Sequence, residues 1–415
     1  MSEWKKVKLG KLYGVHNGLS KGRQFFGSGY PFLTFSNVFN NWFLPEELDS
    51  LVQSTEKERD ACSIKRGDVF ITRTSETMNE LGMSSVALKD YPNATYNGFT
   101  KRLRPISDEI VPEYIGYYLR SPKFRGKFMA FSSMTTRASL ANDDLLSMEV
   151  ELPNKTIQIA IAEFLSRYDS LIDNYQKQIK LLEEAAQRLY KECFVDLHFP
   201  GHENTKIVDG VPERWEKTNI NNILTFHRGY DLTHKEFVYG PYPVVGSTSI
   251  IGSHNKYKIE GPGIVTGRSG SLGVYQLIWE NYWPHNTSLY ISDFKGHDVF
   301  YIYCLLKTVD FTTLNSGGAI PSLNRNTLSS IPVVEPPKDL QQDFSRKAMP
   351  LFKKQKALES QIRLLTEARD RLHPKLMSGE ISVDFLCNIQ EHAQSIGSGL
   401  EVRNGRTDSP QATDS

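Results

Sequence analysis

Cysteine is scarce in this chain. Cys62, Cys193, Cys304 and Cys387 are its only four among 415 residues, and they lie far apart. With no CxxC pair, neither a disulfide framework nor a zinc site is expected. Long apolar runs are missing too: none approaches the roughly 20 residues that cross a bilayer. The opening MSEWKKVKLGKLYG carries charge but no apolar signal-peptide core. A reduced, cytoplasmic protein without a membrane partner is therefore expected. Charge of one sign is lacking as well, since 49 Lys and Arg face 48 Asp and Glu for a net +1. That total neither requires nor forbids a polyanionic partner, because a neutral sum still accommodates basic faces.

Signatures of catalysis are equally thin. There is no GxSxG and no HExxH. The glycine-rich TGRSGSLG (266–273) lacks the GK[ST] of a phosphate loop and the spacing of GxGxxG. EPPKD (335–339) lacks both the initial Asp or Asn and the final aromatic of an adenine methyltransferase motif. It reads better as prolines that close a domain and open a helix. His198 and His202 flank the FPG turn, so they do not share a helix face. No metal, no cofactor and no catalytic residue is expected.

What the chain does have is a long amphipathic stretch, SRYDSLIDNYQKQIKLLEEAAQRLYKECF (166–194), free of proline and glycine. A related stretch follows near the C-terminus. The two align without a gap, Pro153 on Pro336, Gln158 on Gln341, Ile179 on Ile362 and Leu189 on Leu372, each pair 183 residues apart. The segments that precede them also resemble each other. EWKKVKLGKLYGVHNGLSK parallels ERWEKTNINNILTFHRGYDL, and GDVFITRTS parallels GPGIVTGRSG, which pairs Arg73 with Arg268.

Apolar residues of the first stretch, Tyr168, Ile172, Tyr175, Ile179, Leu182, Ala186 and Leu189, follow alternating steps of four and three, the spacing of a coiled-coil seam. The aligned seam of the second is Leu351, Gln355, Leu358, Ile362, Leu365, Arg369 and Leu372. Its polar members lower stability but fix register. Because each domain precedes its helix and the linker after Asp196 is short, the helices are expected to pair antiparallel. About 40 helical residues extend roughly 60 Å. The expected fold is α+β: two similar mixed α/β domains separated by two long helices in an antiparallel coiled coil, with pseudo-twofold symmetry. The boundaries are 1–152 and 197–335 for the domains, 153–196 and 336–387 for the helices, and 388–415 for a polar, disordered tail.

Recognition chemistry is concentrated in loops between short β-like runs. The first domain offers GLSKGRQFF, ITRTSETMN, NGFTKR and SSMTTRAS. The second offers FHRGYDLTHK, GSTS, TGRSGS and NSGGAIPS. Arg and Lys suit guanine edges or phosphates, Asn and Gln suit adenine, and Ser and Thr suit either. Arg73 and Arg268 stand out because their repeat positions match. Lys21, Arg23, Arg137, Arg228, Lys235 and Ser269 complete the candidate DNA-binding set.

Taken together, the Trp-bearing domain openings, the helix entries LPNKTIQIAIAEFLSRYDSLIDN and EPPKDLQQDFSRKAMPLFKKQ, and the segment RLYKECFVDLHFPG resemble the specificity subunit of type I restriction-modification systems. The resemblance spans residues 1 to about 383. It implies that each domain is a target-recognition domain reading one half of a split sequence in double-stranded DNA. It also implies that the helices act as a spacer and dock two copies of a modification subunit, which binds S-adenosylmethionine and methylates adenine at N6. A motor and nuclease subunit would complete the restricting complex, and this chain would supply addressing without catalysis. Two other readings compete: a nuclease or methyltransferase acting alone, and a two-headed coiled-coil adaptor that binds proteins rather than DNA.

Overall fold

Apolar spacing of three and four produces the two longest elements, helices Lys155–Phe194 and Lys338–Ser378, of 40 and 41 residues. The first is opened by Asn154, whose Oδ1 accepts the Ile157 N–H at 2.9 Å and satisfies one of the free amides of the first turn. The second ends nine residues before the expected 387. Gly379 adopts φ +73°, and the Gly379 and Glu380 amides turn back onto the Leu376 and Lys375 carbonyls. That left-handed residue, easily reached by glycine, closes the helix. The computed structural model describes residues 4–75, 80–131, 138–139, 141–268, 273–309 and 331–382. The expected tail from 388 lies outside the described residues.

Two units divide the chain, one of residues 1–172 with 363–415 and one of residues 173–362. Each long helix is therefore shared, its two portions belonging to different units.

In the first unit a four-stranded antiparallel sheet runs in the order Tyr13–Asn17, Thr100–Pro105, Val69–Thr72, Ser84–Val86. A three-stranded sheet, Leu51–Val52, Phe26–Leu33, Thr95–Tyr96, accompanies it, and Lys5–Lys8 pairs with Glu149–Leu152. Strand alternation sends Val69 and Ile71 to one core and Phe70 to another with Leu33, Val38 and Tyr96. The larger core takes in helix Pro112–Leu119, then Ile161, Phe164 and Leu165 from the first long helix and Leu376 and Met377 from the second. Each such side chain, fully buried, contributes about 1.5–3 kcal/mol, so the helix portions are integral to this unit.

The second unit repeats the plan. Its four-stranded sheet runs Thr225–Arg228, Ser288–Asp293, Gly263–Gly267, Tyr275–Ile278. The three-stranded sheet is Ile250–His254, Tyr242–Val245, Trp283–Pro284, and Glu216–Asn219 pairs with Pro332–Glu335. Helix Val299–Thr308 takes the place of Pro112–Leu119. The core receives Phe344, Ala348 and Phe352 from the second long helix and Ala186 and Tyr190 from the first.

Within each unit the helices run antiparallel, as expected. In the first, Asp169 meets Arg369. In the second, the Ile179 carbonyl accepts from Gln355, and Tyr190 packs edge-on to Phe344. Numbers rise along one helix as they fall along the other. The repeat extends to its buried glutamines: Gln158 donates to the Pro153 carbonyl at 2.9 Å, and Gln341 donates to the Pro336 carbonyl at 2.7 Å.

Candidate nucleic-acid interface

Antiparallel register brings three turns to one end of the first four-stranded sheet. Asn17 is paired with Lys101 and Thr72 with Thr100, so the exits of two strands and the entry of the third coincide. Backbone bonds then lock the turns together. Leu19 N–H donates to the Tyr96 carbonyl at 2.8 Å, Asn97 N–H to Leu33 at 3.0 Å, and Arg73 N–H to Phe99 at 3.0 Å. Thr100 bonds the Asn97 carbonyl through both its amide and its hydroxyl, the latter at 2.7 Å.

The second unit builds the same knot from different side chains. Tyr230 N–H donates to Pro284 at 2.8 Å, His285 N–H to Val245 at 2.9 Å and Arg268 N–H to Thr287 at 3.2 Å. Ser288 bonds the His285 carbonyl through its amide and its hydroxyl, as Thr100 does that of Asn97. Gly18 and Gly229 pass close beneath these loops. A Cβ on Gly18 would sit 2.2 Å from the Asn97 carbonyl oxygen, and one on Gly229 would sit 2.0 Å from that of His285. Glycine is required at both places by backbone approach. The match of Arg73 with Arg268, read from the sequence alone, is thus a match of position and of backbone hydrogen bond.

Side chains differ between the two knots. Around the first, Arg73 is half-buried and Phe99 exposes 57% of its surface. Lys101 is buried and bonded to Asn142; burial first, then the charge of Arg73, lowers its pKa below the usual lysine value. Two cations sharing one corner repel each other, and an anion such as a phosphate would relieve that repulsion. Around the second, Arg268 is exposed, and Arg228 lies 3.4 Å from Asp231, which also accepts from the Asn286 amide. His285 Nε2 donates to the Leu232 carbonyl at 3.1 Å, so in the neutral ring Nδ1 accepts from the Thr287 hydroxyl at 3.0 Å.

The remaining candidates lie in the segments that follow these glycines, or outside the described residues. Lys21 is engaged internally: it meets Glu58 at 2.8 Å, donates to the Gln53 carbonyl at 2.7 Å and covers the Phe25 ring. The hydrogen bond from Lys21 to Glu58, with that from the Thr55 amide next, holds the Glu58 carboxyl below its usual range. Arg23 is exposed on the short turn Arg23–Phe25, and Lys235 is exposed on the corresponding turn His234–Glu236. Arg137 and Ser269 lie outside the described residues, as does most of SSMTTRAS and all of NSGGAIPS.

Sequence reasoning overlooked Phe99, Lys101, His285, Asn286 and Thr287. NGFTKR was noted as polar and basic, but its aromatic was not singled out. No signal in PHNTS marked it as the counterpart of YNGFT, because the equivalence is carried by backbone bonds. Among the described residues no group of three or more His, Cys, Asp or Glu is placed to hold a metal ion, and no helix is long and apolar enough to cross a membrane.

Comparison with known proteins agrees with this repeated construction. The family model of the type I restriction modification DNA specificity domain matches residues 1–184 and again 212–366. The type I restriction enzyme MjaIX specificity subunit of Methanocaldococcus jannaschii is 26% identical over 412 residues, spanning 92% of this chain and 94% of that protein. The HindI specificity subunit of Haemophilus influenzae is 22% identical, spanning 92% of this chain and 100% of its own. In fold, the chain is similar to the crystal structure of the type I restriction-modification S subunit from M. genitalium. The TM-score is 0.56 at 18% identity, over 90% of this chain and 96% of that one.

Proposed function

The chain belongs to the type I restriction modification DNA specificity family, and from that premise we propose that each of its two heads reads one half of a split target in double-stranded DNA. The observation that carries this reading is the repeated knot of turns, which holds Arg73 and Arg268 at matching positions on different side-chain surroundings. One scaffold bearing two chemistries suits two different half-sites. Arg73, Arg268, Arg228 and the exposed Arg23 and Lys235 supply donors and positive charge; Lys21 is balanced by Glu58 and contributes less. The long helices set the unread gap between the half-sites and dock two copies of an adenine-N6 modification subunit, to which a motor and nuclease subunit is added. The chain addresses the complex and leaves catalysis and cofactor binding to those partners. Its place of work is the cytoplasm.

A map of N6-methyladenine across the host genome, with and without this gene, tests the proposal. Loss of one split motif, two short blocks around a fixed gap, is the expected result. Adding residues to the first long helix near Gln178 changes the gap and leaves both blocks intact. An unchanged map, together with failure to co-purify a modification subunit, would favour a protein-binding adaptor instead.

A further inference from the structure

We infer that Phe99 is a specificity-determining residue of the first head, and that it recognises a thymine by packing against the C5-methyl group in the major groove. The inference rests on the reading of this head as a DNA-recognition domain.

Phe99 occupies the tip of a loop with little freedom. Its own amide donates to Asn97 Oδ1 at 2.6 Å, and its carbonyl accepts from Arg73 at 3.0 Å. The preceding Gly98 amide is bonded to the Leu19 carbonyl at 2.9 Å. The backbone is therefore held while the ring is presented outward, with 57% of the residue exposed and no ring-to-ring contact among the described residues. A single exposed apolar side chain is ordinary. This one is distinguished by its setting, on a pinned loop whose carbonyl is tied to the backbone of a candidate DNA-binding arginine.

An apolar group on such a loop has two apolar targets on a duplex. One is the face of a base, reached only by unstacking a step and kinking the DNA. The other is the thymine methyl, which already projects into the major groove and is contacted by apolar side chains without deformation. A ring at the tip of a loop held by backbone bonds suits the second. At the matching position of the second head stands Thr287, whose hydroxyl is bonded to His285, so the two heads read this place differently.

The test uses the full chain in complex with its modification subunits, and duplexes in which each thymine of the first half-site is replaced in turn by deoxyuridine, which lacks only the methyl. At one position the wild-type complex is expected to bind the deoxyuridine duplex about fourfold more weakly, the worth of burying one methyl-sized group. Phe99→Ala is expected to lose that discrimination, and Phe99→Leu to keep it. Replacements in the second half-site should be read alike by all three proteins. A wild-type complex indifferent to every replacement, or a Phe99→Ala complex that still discriminates, overturns the inference. A wild-type complex that prefers no split target at all overturns the DNA-recognition reading itself, and is told apart by its failure on unmodified duplexes.

Discussion

Arg369 donates to Asp169 at 2.6 Å, and the same carboxylate accepts the Tyr117 hydroxyl at 2.5 Å. The sequence placed Arg369 in a seam that is apolar apart from it and Gln355, where a lone cation would be unwelcome. Its guanidinium also faces the Trp42 ring at 5.4 Å, so one side chain ties the second long helix to the first and to the first domain. The side chains are only 15% and 29% exposed, between the surface pairs that contribute little and the buried pairs whose breakage is severe.

Arg369→Ala should accordingly destabilise the protein by about 2 kcal/mol, measured by denaturant unfolding. A double-mutant cycle with Asp169→Asn should return a coupling above about 0.5 kcal/mol. A smaller coupling would mean that the pair contributes little beyond what each side chain does alone.

Gly18→Ala and Gly229→Ala each drive a methyl group into a loop carbonyl. Each should disturb one knot of turns while the far-UV circular dichroism stays near that of the parent. Gly18→Ala should relax reading of one half-site and Gly229→Ala of the other. Joint loss of both half-sites from either variant would contradict independent heads.

Arg268→Ala should weaken recognition at one position of the second half-site by about 1–3 kcal/mol, as expected for loss of a bidentate base contact. Competition binding against single-base variants provides the measurement. Equal weakening on every sequence, with a shallower salt dependence, would assign the residue to phosphate instead.

His297 and His373 govern stability on the acid side. Burial lowers the pKa of both below 6.5, although the hydrogen bond that His297 donates to Gln341 Oε1, and the one that His373 donates to the Tyr117 carbonyl, act in the opposite direction. The folded state therefore binds fewer protons than the unfolded state just below pH 6.5. Stability should be intact above that value and fall as pH drops through it toward the folded pKa, by at most about 1.4 kcal/mol per pH unit for each group. Chemical denaturation from pH 7.5 to 5 should reveal this slope, and it should flatten in His297→Asn and His373→Asn. A slope unchanged in both variants would place the acid sensitivity elsewhere.

Much of the fold was legible in the sequence because helix periodicity and a gap-free repeat are local signals. The seam residues Tyr168, Ile172, Tyr175, Ile179 and Leu182 are all at least half-buried, Ala186 is buried, and Leu181 and Leu364 point outward. The partners of the two polar seam residues were not legible. Gln355 finds a main-chain carbonyl and Arg369 a carboxylate, and both lie far off in sequence. The candidate recognition surface was legible only in part, for the same reason. Arg73 and Arg268 follow recognisable strands, whereas Phe99 and Thr287 correspond only through hydrogen bonds of the main chain, which leave no mark on residue type.

The division of the long helices between units also bears on the order of synthesis. Residues 173–362 form one unbroken unit, while the other unit joins residues 1–172 to residues from 363 onward. On the ribosome, the domain translated second has all its parts first. The domain translated first must wait for His373, Leu376 and Met377, residues that seal its core and its Trp42 face. A nascent chain halted after Ile362 would thus carry a finished second head and an unfinished first.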